Sequence, residues 1–225
     1  MNVGLAAAAF FLGLVSRSGA IGGAVLGTVI YASVGWQGFA VLFVFFAVGS
    51  ALSKLGYRRK AALGVAQENR GRRGARHALA NCLTSVVCAV IYGWTGEPLW
   101  LIAYCAAFAT ALSDTTASEV GQLYGKHPFL PTTLRRVPVG TEGAISVEGT
   151  LAGAVAAIGL GFLSVVLLAP LDAMDGVWIG CGGFAGMMLE SILGASSPMF
   201  RRAGNEVMNF ANTVIGAGVA VLLAW

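Results

Sequence analysis

Charged residues are scarce in this chain of 225 residues. They make up 11% of the sequence, whereas hydrophobic residues make up 57%; ordinary globular domains contain roughly 25% charged residues. A water-exposed surface needs more charge than this, so the composition excludes a soluble protein and predicts an all-α, polytopic membrane helix bundle. Too little polar sequence remains for a separate soluble catalytic domain, so any chemistry must take place in the bilayer or at its edge.

Cysteine and histidine are also sparse, with four and two residues respectively. The cysteines lie in apolar stretches and form no CxxC pair; they are Cys82, Cys88, Cys105 and Cys181. This pattern is typical of small buried hydrophobic residues and gives no support to a zinc or redox site.

Apolar runs divide the chain into eight candidate spans, since a spanning helix needs about 20 mostly apolar residues. The candidates are 3–15, 19–34, 38–55, 77–94, 99–118, 146–169, 176–193 and 207–225. The first would rise only about 20 Å, so it is predicted to be tilted, half-inserted or re-entrant. The chain is therefore predicted to be a single integral membrane domain, residues 1–225, with seven or eight spans.

Basic residues predict the orientation of these spans. All 14 lysines and arginines fall in connecting regions that lie on one side if eight segments span, and the largest group lies in the loop 53–76. The positive-inside rule places that side in the cytoplasm and both termini outside, in an inner membrane of bacterial or archaeal type. Topology alone thus accounts for the net charge of +4, and no nucleic acid is expected as a partner.

Polar residues inside apolar helices are costly and usually functional. The densest group is DTTASE, residues 114–119, at the predicted cytoplasmic end of the fifth segment. Helical spacing puts Thr115, Ser118 and Glu119 on one face. Asp114 and Glu119 are about 140° apart around a helix, so a metal held by both requires a bend or ligands from other helices. The alternative is a polar helix end that simply reaches water.

A glycine-rich loop, GTEGAIS at residues 140–146, opens the sixth segment. The free N–H groups and positive dipole of a helix N-terminus bind phosphate, and glycines let the backbone close around it. The candidate ligands are Gly140, Thr141, Gly143 and Ser146, although Ser146 could instead be an ordinary N-cap. No GK[ST] follows, so this is not a Walker A loop.

Three further polar groups lie near the same predicted membrane edge. Glu190 interrupts the seventh segment, and Asn209 and Asn212 lie one helical turn apart in the last. The asparagines act as glue between helices or as ligands. The basic run that contains Arg72 and Arg73, followed by Asn81, is either a phosphate clamp or an anchor on anionic lipid.

Carboxylates, arginines and a glycine-rich helix start at one membrane edge indicate phosphate chemistry with Mg²⁺ as cofactor. This ion takes one or two protein carboxylates plus substrate phosphates, and the candidate ligands are Asp114, Glu119 and Glu190. A lipid tail could lie between the helices while its head group meets a soluble nucleotide. A transporter, the main alternative, would place ionisable groups along a path near mid-bilayer.

Several of these motifs resemble the DUF92/TMEM19 family of integral membrane proteins, in order over nearly the whole chain. The specific ones are DTTASEVG, residues 114–121, and RRVPVGT, residues 135–141; weaker ones are SRSGA, residues 16–20, the stretch 71–81, and LGA, residues 193–195. Two positions depart from the family pattern. Thr116 stands where tryptophan is expected, and Glu190 stands where aspartate is expected, which keeps the charge.

The resemblance implies transfer of the γ-phosphate of CTP, or another nucleoside triphosphate, onto an isoprenyl monophosphate, because the family includes the plant phytyl-phosphate kinase. The acceptor would be phytyl, geranylgeranyl or farnesyl monophosphate, and Arg135 and Arg136 would join Arg72 and Arg73 in neutralising the transferred charge. A CTP-dependent lipid cytidylyltransferase, which releases pyrophosphate, stays open as an alternative. A homo-oligomer is also left open.

Overall fold

The computed structural model describes residues 2–67, 71–196 and 204–225. Within those ranges the chain is all-helical and has no β-strand, which confirms the predicted helical membrane bundle. The helices are α1 (Asn2–Phe11), α2 (Arg17–Lys54), α3 (Tyr57–Ala62), α4 (Ala75–Thr95), α5 (Pro98–Tyr124), α6 (Val147–Leu167), α7 (Ala173–Ser196) and α8 (Asn205–Ala224). Three predicted topology-setting arginines, Arg70, Arg201 and Arg202, lie outside the described residues.

Six of these helices are long and apolar enough to cross a membrane, namely α2 and α4 to α8. Helix α5 is the centre of the bundle: 83% of its most apolar 18-residue stretch is buried, against 28% in α6. Its middle is rich in alanine, and small side chains let neighbouring helices approach closely in lipid. The one helix that carries the DTTASE motif is therefore enclosed by the others.

Helix α2 consists of two helical halves that meet at Gly35, whose φ of 85° and ψ of −169° are not helical. Gly19 and Gly49 both lie against Arg73, although thirty residues of straight helix would separate them by about 45 Å. The chain therefore turns back on itself at Gly35. The two halves correspond to the predicted segments 19–34 and 38–55.

Helix α1 is shorter than the predicted segment 3–15, because it ends at Phe11 and Gly13 follows with a φ of 65°. Its ten residues rise about 15 Å, half of the roughly 30 Å of hydrocarbon in a bilayer. The side-chain amide of Asn2 donates to the Ala24 carbonyl at 2.6 Å and to the Thr28 hydroxyl at 2.9 Å. These bonds hold α1 against the first half of α2.

Helix α5 runs past the predicted end at residue 118 and continues to Tyr124. Its last turns stay helical because α6 covers them: a Cβ added at Gly149 would lie 2.5 Å from the Ala117 carbonyl oxygen, and one at Gly153 would lie 3.0 Å from that of Ser113. The DTTASE motif thus lies within a packed helix and not at a frayed helix end.

Candidate functional site

One large cavity opens at the end of the bundle where α5 ends and α6 begins, and it has a volume of about 1160 Å³. Most of its lining comes from the residues around the start of α4, the last turns of α5, the loop 139–146, the end of α7 and the start of α8. Ser16 and Ser18 at the start of α2 and residues 65–67 complete it. Small-molecule pockets commonly measure roughly 300–1,000 Å³. This polar cavity therefore has room for a nucleotide and the head group of a second ligand.

Most of the site residues predicted from sequence line the polar cavity. Twelve of the sixteen do so: Asp114, Thr115, Ser118, Glu119, Glu190, Arg72, Arg73, Gly140, Thr141, Gly143, Ser146 and Asn209. The other four, Asn81, Arg135, Arg136 and Asn212, lie outside its lining.

Two acids from different helices face each other in this cavity. The carboxyl groups of Asp114 on α5 and Glu190 on α7 both line the cavity and lie close to each other. The side-chain amide of Asn212 on α8 donates to the Glu190 carboxylate, so the next helix fixes the orientation of that acid. Asn212 thus reaches the cavity only through Glu190.

Glu119 has a different partner, the ammonium group of Lys60 on α3. Both side chains are almost completely buried, with 1% and 3% of their surface exposed. Lys60 also donates to the carbonyl oxygens of Leu52 and Ser53, both at 3.1 Å, which cap the end of α2. The pair therefore holds the basic loop against the central helix. The other carboxylate oxygen of Glu119, Oε1, has no hydrogen-bond partner.

In the part of the chain that the structure describes, no group of three or more His, Cys, Asp or Glu residues is placed to hold a metal ion. The three predicted ligands are divided, because Glu119 is paired with Lys60 while Asp114 and Glu190 stay together. A pair of carboxylates nevertheless fits Mg²⁺, which keeps several waters and takes further oxygens from substrate phosphates.

Arg73 is a buried cation with unused donors. Its backbone N–H donates to the Leu14 carbonyl and its carbonyl accepts from the Ser16 N–H, both at 3.1 Å. The guanidinium carbon lies 5.5 Å from the centre of the Phe45 ring, and Nε and Nη2 have no hydrogen-bond partner. Burial lowers the pKa of this guanidinium from its ordinary value, yet arginine stays protonated in proteins. Such a group is complementary to an anion.

Tight packing shapes the glycine-rich loop. Gly140 and Gly143 have φ angles of 85° and 73°, which side chains rarely adopt, and a Cβ at Gly143 would lie 2.6 Å from the carbonyl carbon of Gly194. The Ser146 hydroxyl accepts from the Gly149 N–H at 3.1 Å, so Ser146 is the N-cap of α6. The loop lines the cavity while its backbone rests on the end of α7.

Three predicted phosphate ligands lie elsewhere. Arg135 and Arg136 are exposed, and their backbone bridges to Leu130 and Phe129 in the surface segment that precedes α6. Asn81 is 2% exposed and donates to the carbonyl one helical turn before it. The RRVP motif thus shapes the segment that leads to the loop, and its arginine side chains stay outside the polar cavity.

Sequence reasoning missed other residues of the site, chiefly Lys60, His77 and Gln122. Gln122 lines the polar cavity, and its position one turn after Ser118 is a signal that helical spacing offers. Nε2 of His77 and Oε1 of Gln122 are buried without a hydrogen-bond partner. Lys60 carried no such signal, because nothing in a run of basic residues shows which one turns inward.

A second, smaller cavity of about 110 Å³ adjoins the polar one. Its walls come from α1, both halves of α2 and the first turns of α4, and they are almost entirely apolar. Arg73 and His77 line both cavities. The two spaces therefore meet at a buried cation, and the smaller one is called the apolar cavity below.

Comparison with known proteins gives one family and several relatives. The family model described as "Integral membrane protein DUF92" matches residues 1–217. "Uncharacterized membrane protein sll0875" of Synechocystis is 44% identical over 202 residues, 88% of this chain and 78% of that protein. "Uncharacterized membrane protein MJ0933" of Methanocaldococcus jannaschii is 33% identical over 215 residues, 93% of this chain and 85% of that protein.

A plant relative, "Protein VTE6, chloroplastic" of Arabidopsis thaliana, is 36% identical over 219 residues. The match covers 93% of this chain and 65% of the plant protein, so the chain spans just under two thirds of that relative's length. No solved structure matches the chain.

Proposed function

The chain belongs to the DUF92 family of integral membrane proteins, and from this membership and the polar cavity we propose that it is an isoprenyl-phosphate kinase. The proposed substrates are CTP, or another nucleoside triphosphate, and phytyl, geranylgeranyl or farnesyl monophosphate. One observation carries the proposal: a carboxylate pair, a buried arginine with free donors and a glycine-rich loop line a single cavity. The family resemblance of the DTTASE and RRVPVGT motifs supports the choice of substrates.

The reaction joins two phosphates. An oxygen of the acceptor monophosphate attacks the γ-phosphorus and forms a new P–O bond. The bond from that phosphorus to the β,γ-bridging oxygen breaks, and the nucleoside diphosphate leaves with the electron pair. A phosphate monoester has a second pKa near 6 and is mostly a dianion at neutral pH, so the acceptor needs no general base. Phosphoryl transfer then depends mainly on positioning and charge neutralisation.

The chain's own groups divide these tasks. Asp114 and Glu190 would hold Mg²⁺, which neutralises charge on the nucleotide phosphates when bound. The backbone of the loop at Gly140 and Gly143 contributes N–H groups for the nucleotide phosphates. The Arg73 guanidinium, at the border of both cavities, would bind the acceptor phosphate. Lys60 keeps Glu119 and the basic loop in place, which makes that pair a positioning element.

We also place the polar cavity on the cytoplasmic side, because basic residues gather at its end of the bundle. Among the described residues these include Lys54, Lys60, Arg72, Arg76 and Lys126, and the positive-inside rule assigns such an end to the cytoplasm. The membrane would be an inner membrane of bacterial or archaeal type, and CTP and ATP are available on its cytoplasmic side. Seven helical segments from the first half of α2 to α8 would then leave the C-terminus outside.

The test uses purified protein in nanodiscs with Mg²⁺, CTP or ATP, and each isoprenyl monophosphate in turn. Equal release of nucleoside diphosphate and isoprenyl diphosphate supports the kinase. Pyrophosphate release with formation of a CDP-lipid overturns it in favour of a cytidylyltransferase. If no nucleotide is consumed with any acceptor, and proteoliposomes take up the isoprenyl phosphate instead, the protein is a transporter.

A further inference from the structure

We propose that the apolar cavity binds the isoprenyl chain of the acceptor and thereby sets its chain selectivity. The phosphate end would lie at Arg73, where this cavity meets the polar one. The inference rests on the kinase function proposed above and extends it to residues, such as Leu26 and Phe39, that no polar motif marks.

The shape of the apolar cavity suits one extended chain. Gly19 lies against the backbone of Arg73, and the lining continues along α2 from Gly19 to Leu26, a rise of about 10 Å. Phe39 from the second half of α2 and Leu5 from α1 complete the wall. The walls are almost entirely apolar along this run, which matches a hydrocarbon chain.

The charge at the cavity's mouth selects an anionic head group. Arg73 is 5% exposed, and its Nε and Nη2 lack partners, as does Nε2 of the neighbouring His77. Buried donors without partners cost free energy, and a ligand that accepts from them recovers it. Because these groups stand where an almost entirely apolar space meets the polar cavity, the matching ligand has a phosphate at one end and a hydrocarbon chain at the other.

Gly23 offers a way to fill the apolar cavity without disturbing the fold. It lines the cavity, and a Cβ added there would meet no heavy atom within 4 Å. Gly159 on α6 is the matched control, because it also lies inside a helix with nothing within 4 Å and lines neither cavity. Gly23→Leu and Gly159→Leu change helix propensity equally, so only the first fills the proposed site.

The first readout is chain selectivity. We expect Gly23→Leu to lower kcat/KM for geranylgeranyl monophosphate about tenfold or more, mainly through KM, with less effect on a five-carbon acceptor. Gly159→Leu should retain the wild-type ratio between the two acceptors. If wild type turns over and Gly23→Leu keeps the wild-type ratio, the chain site is wrong while the kinase function stands.

The second readout does not depend on turnover. Geranylgeranyl monophosphate that carries a diazirine on its chain is photocrosslinked to wild type and to both variants, and the labelled peptides are mapped. Labelling of α1 or of residues 39–46, lost in Gly23→Leu and kept in Gly159→Leu, supports the site even if no nucleotide is consumed. Labelling only of lipid-facing positions on α6, or equal protection by phosphatidylglycerol and by unlabelled isoprenyl phosphate, overturns it.

Discussion

The polar and apolar cavities share Arg73 and His77 but differ in how far the sequence predicts them. The polar cavity collects twelve of the sixteen predicted site residues, whereas the sequence suggests a space for a lipid tail between the helices without indicating where it lies. In a membrane protein, polar side chains stand out because burying them is costly. An apolar cavity differs from ordinary packing only by missing atoms, so its existence depends on how the helices fit together.

The tandem glycine row in the first half of α2 illustrates the difference. The GxxxG spacing predicts close helix packing at Gly19, Gly23 and Gly27. In the structure Gly19 lies against the backbone of Arg73, Gly27 lies against Asn2 and Phe39, and Gly23 has open space. Gly19 and Gly27 thus allow close approach of the backbone, whereas Gly23 leaves part of the apolar cavity unfilled, although all three have the same sequence signal.

The largest effect is expected from a variant that abolishes catalysis in the polar cavity and leaves lipid binding in the apolar cavity unchanged. Asp114→Asn removes one carboxylate of the pair with Glu190, and we expect turnover to fall roughly 1,000-fold, about 4 kcal/mol of transition-state stabilisation. The measurement is kcat across a Mg²⁺ titration. Crosslinking of the isoprenyl probe should stay at the wild-type level. Glu97→Gln, an exposed acid at the opposite end of α5, is the control. Near-normal turnover of Asp114→Asn would remove this acid from the metal site.

The next largest effect concerns the junction of the two cavities. Arg73→Met removes a buried cation whose Nε and Nη2 lack partners, so activity should fall roughly 100-fold while thermal stability in detergent holds or rises. Arg58→Met, at an exposed position outside both cavities, should change neither. A large loss of stability in Arg73→Met would mean that this arginine supports the fold and not a ligand.

A smaller and different effect is expected from the ion pair beside the polar cavity. Lys60→Met leaves the Glu119 carboxylate buried and unpaired, which should cost roughly 3 kcal/mol of stability. The double variant Lys60→Met/Glu119→Gln should regain most of the thermal stability and part of the activity. If the double variant is stable yet as inactive as Asp114→Asn, Glu119 is a metal ligand and not a positioning residue.

The smallest effect tests the border of the polar cavity. Arg135→Ala and Arg136→Ala remove exposed charges outside its lining, so kcat/KM should change about threefold at most and less at high salt. A salt-independent loss near 100-fold in either variant would show that this side chain enters the cavity when substrates bind.

The predictions that succeeded and those that failed have identifiable physical origins. Apolar runs located both halves of α2, because the break at Gly35 falls in a short gap between them. The end of α5 was misplaced at residue 118, since polar residues of a packed helix resemble a helix end that reaches water. Lys60 was missed because its inward position depends on α3 packing against α5, and the charge of Arg135 gave no indication of the direction of its side chain.

The backbone link at Arg73 has a thermodynamic consequence. This residue bonds to Leu14 and Ser16, in the same connection between α1 and α2 that borders the apolar cavity at Val15. The segment that borders the proposed lipid site is therefore hydrogen-bonded to the residue that carries the cation proposed to bind the phosphate. When the phosphate and the chain belong to one molecule, the loss of translational and rotational freedom on binding occurs only once. We therefore expect the isoprenyl phosphate to bind more tightly than the separate affinities for the phosphate and the chain would give.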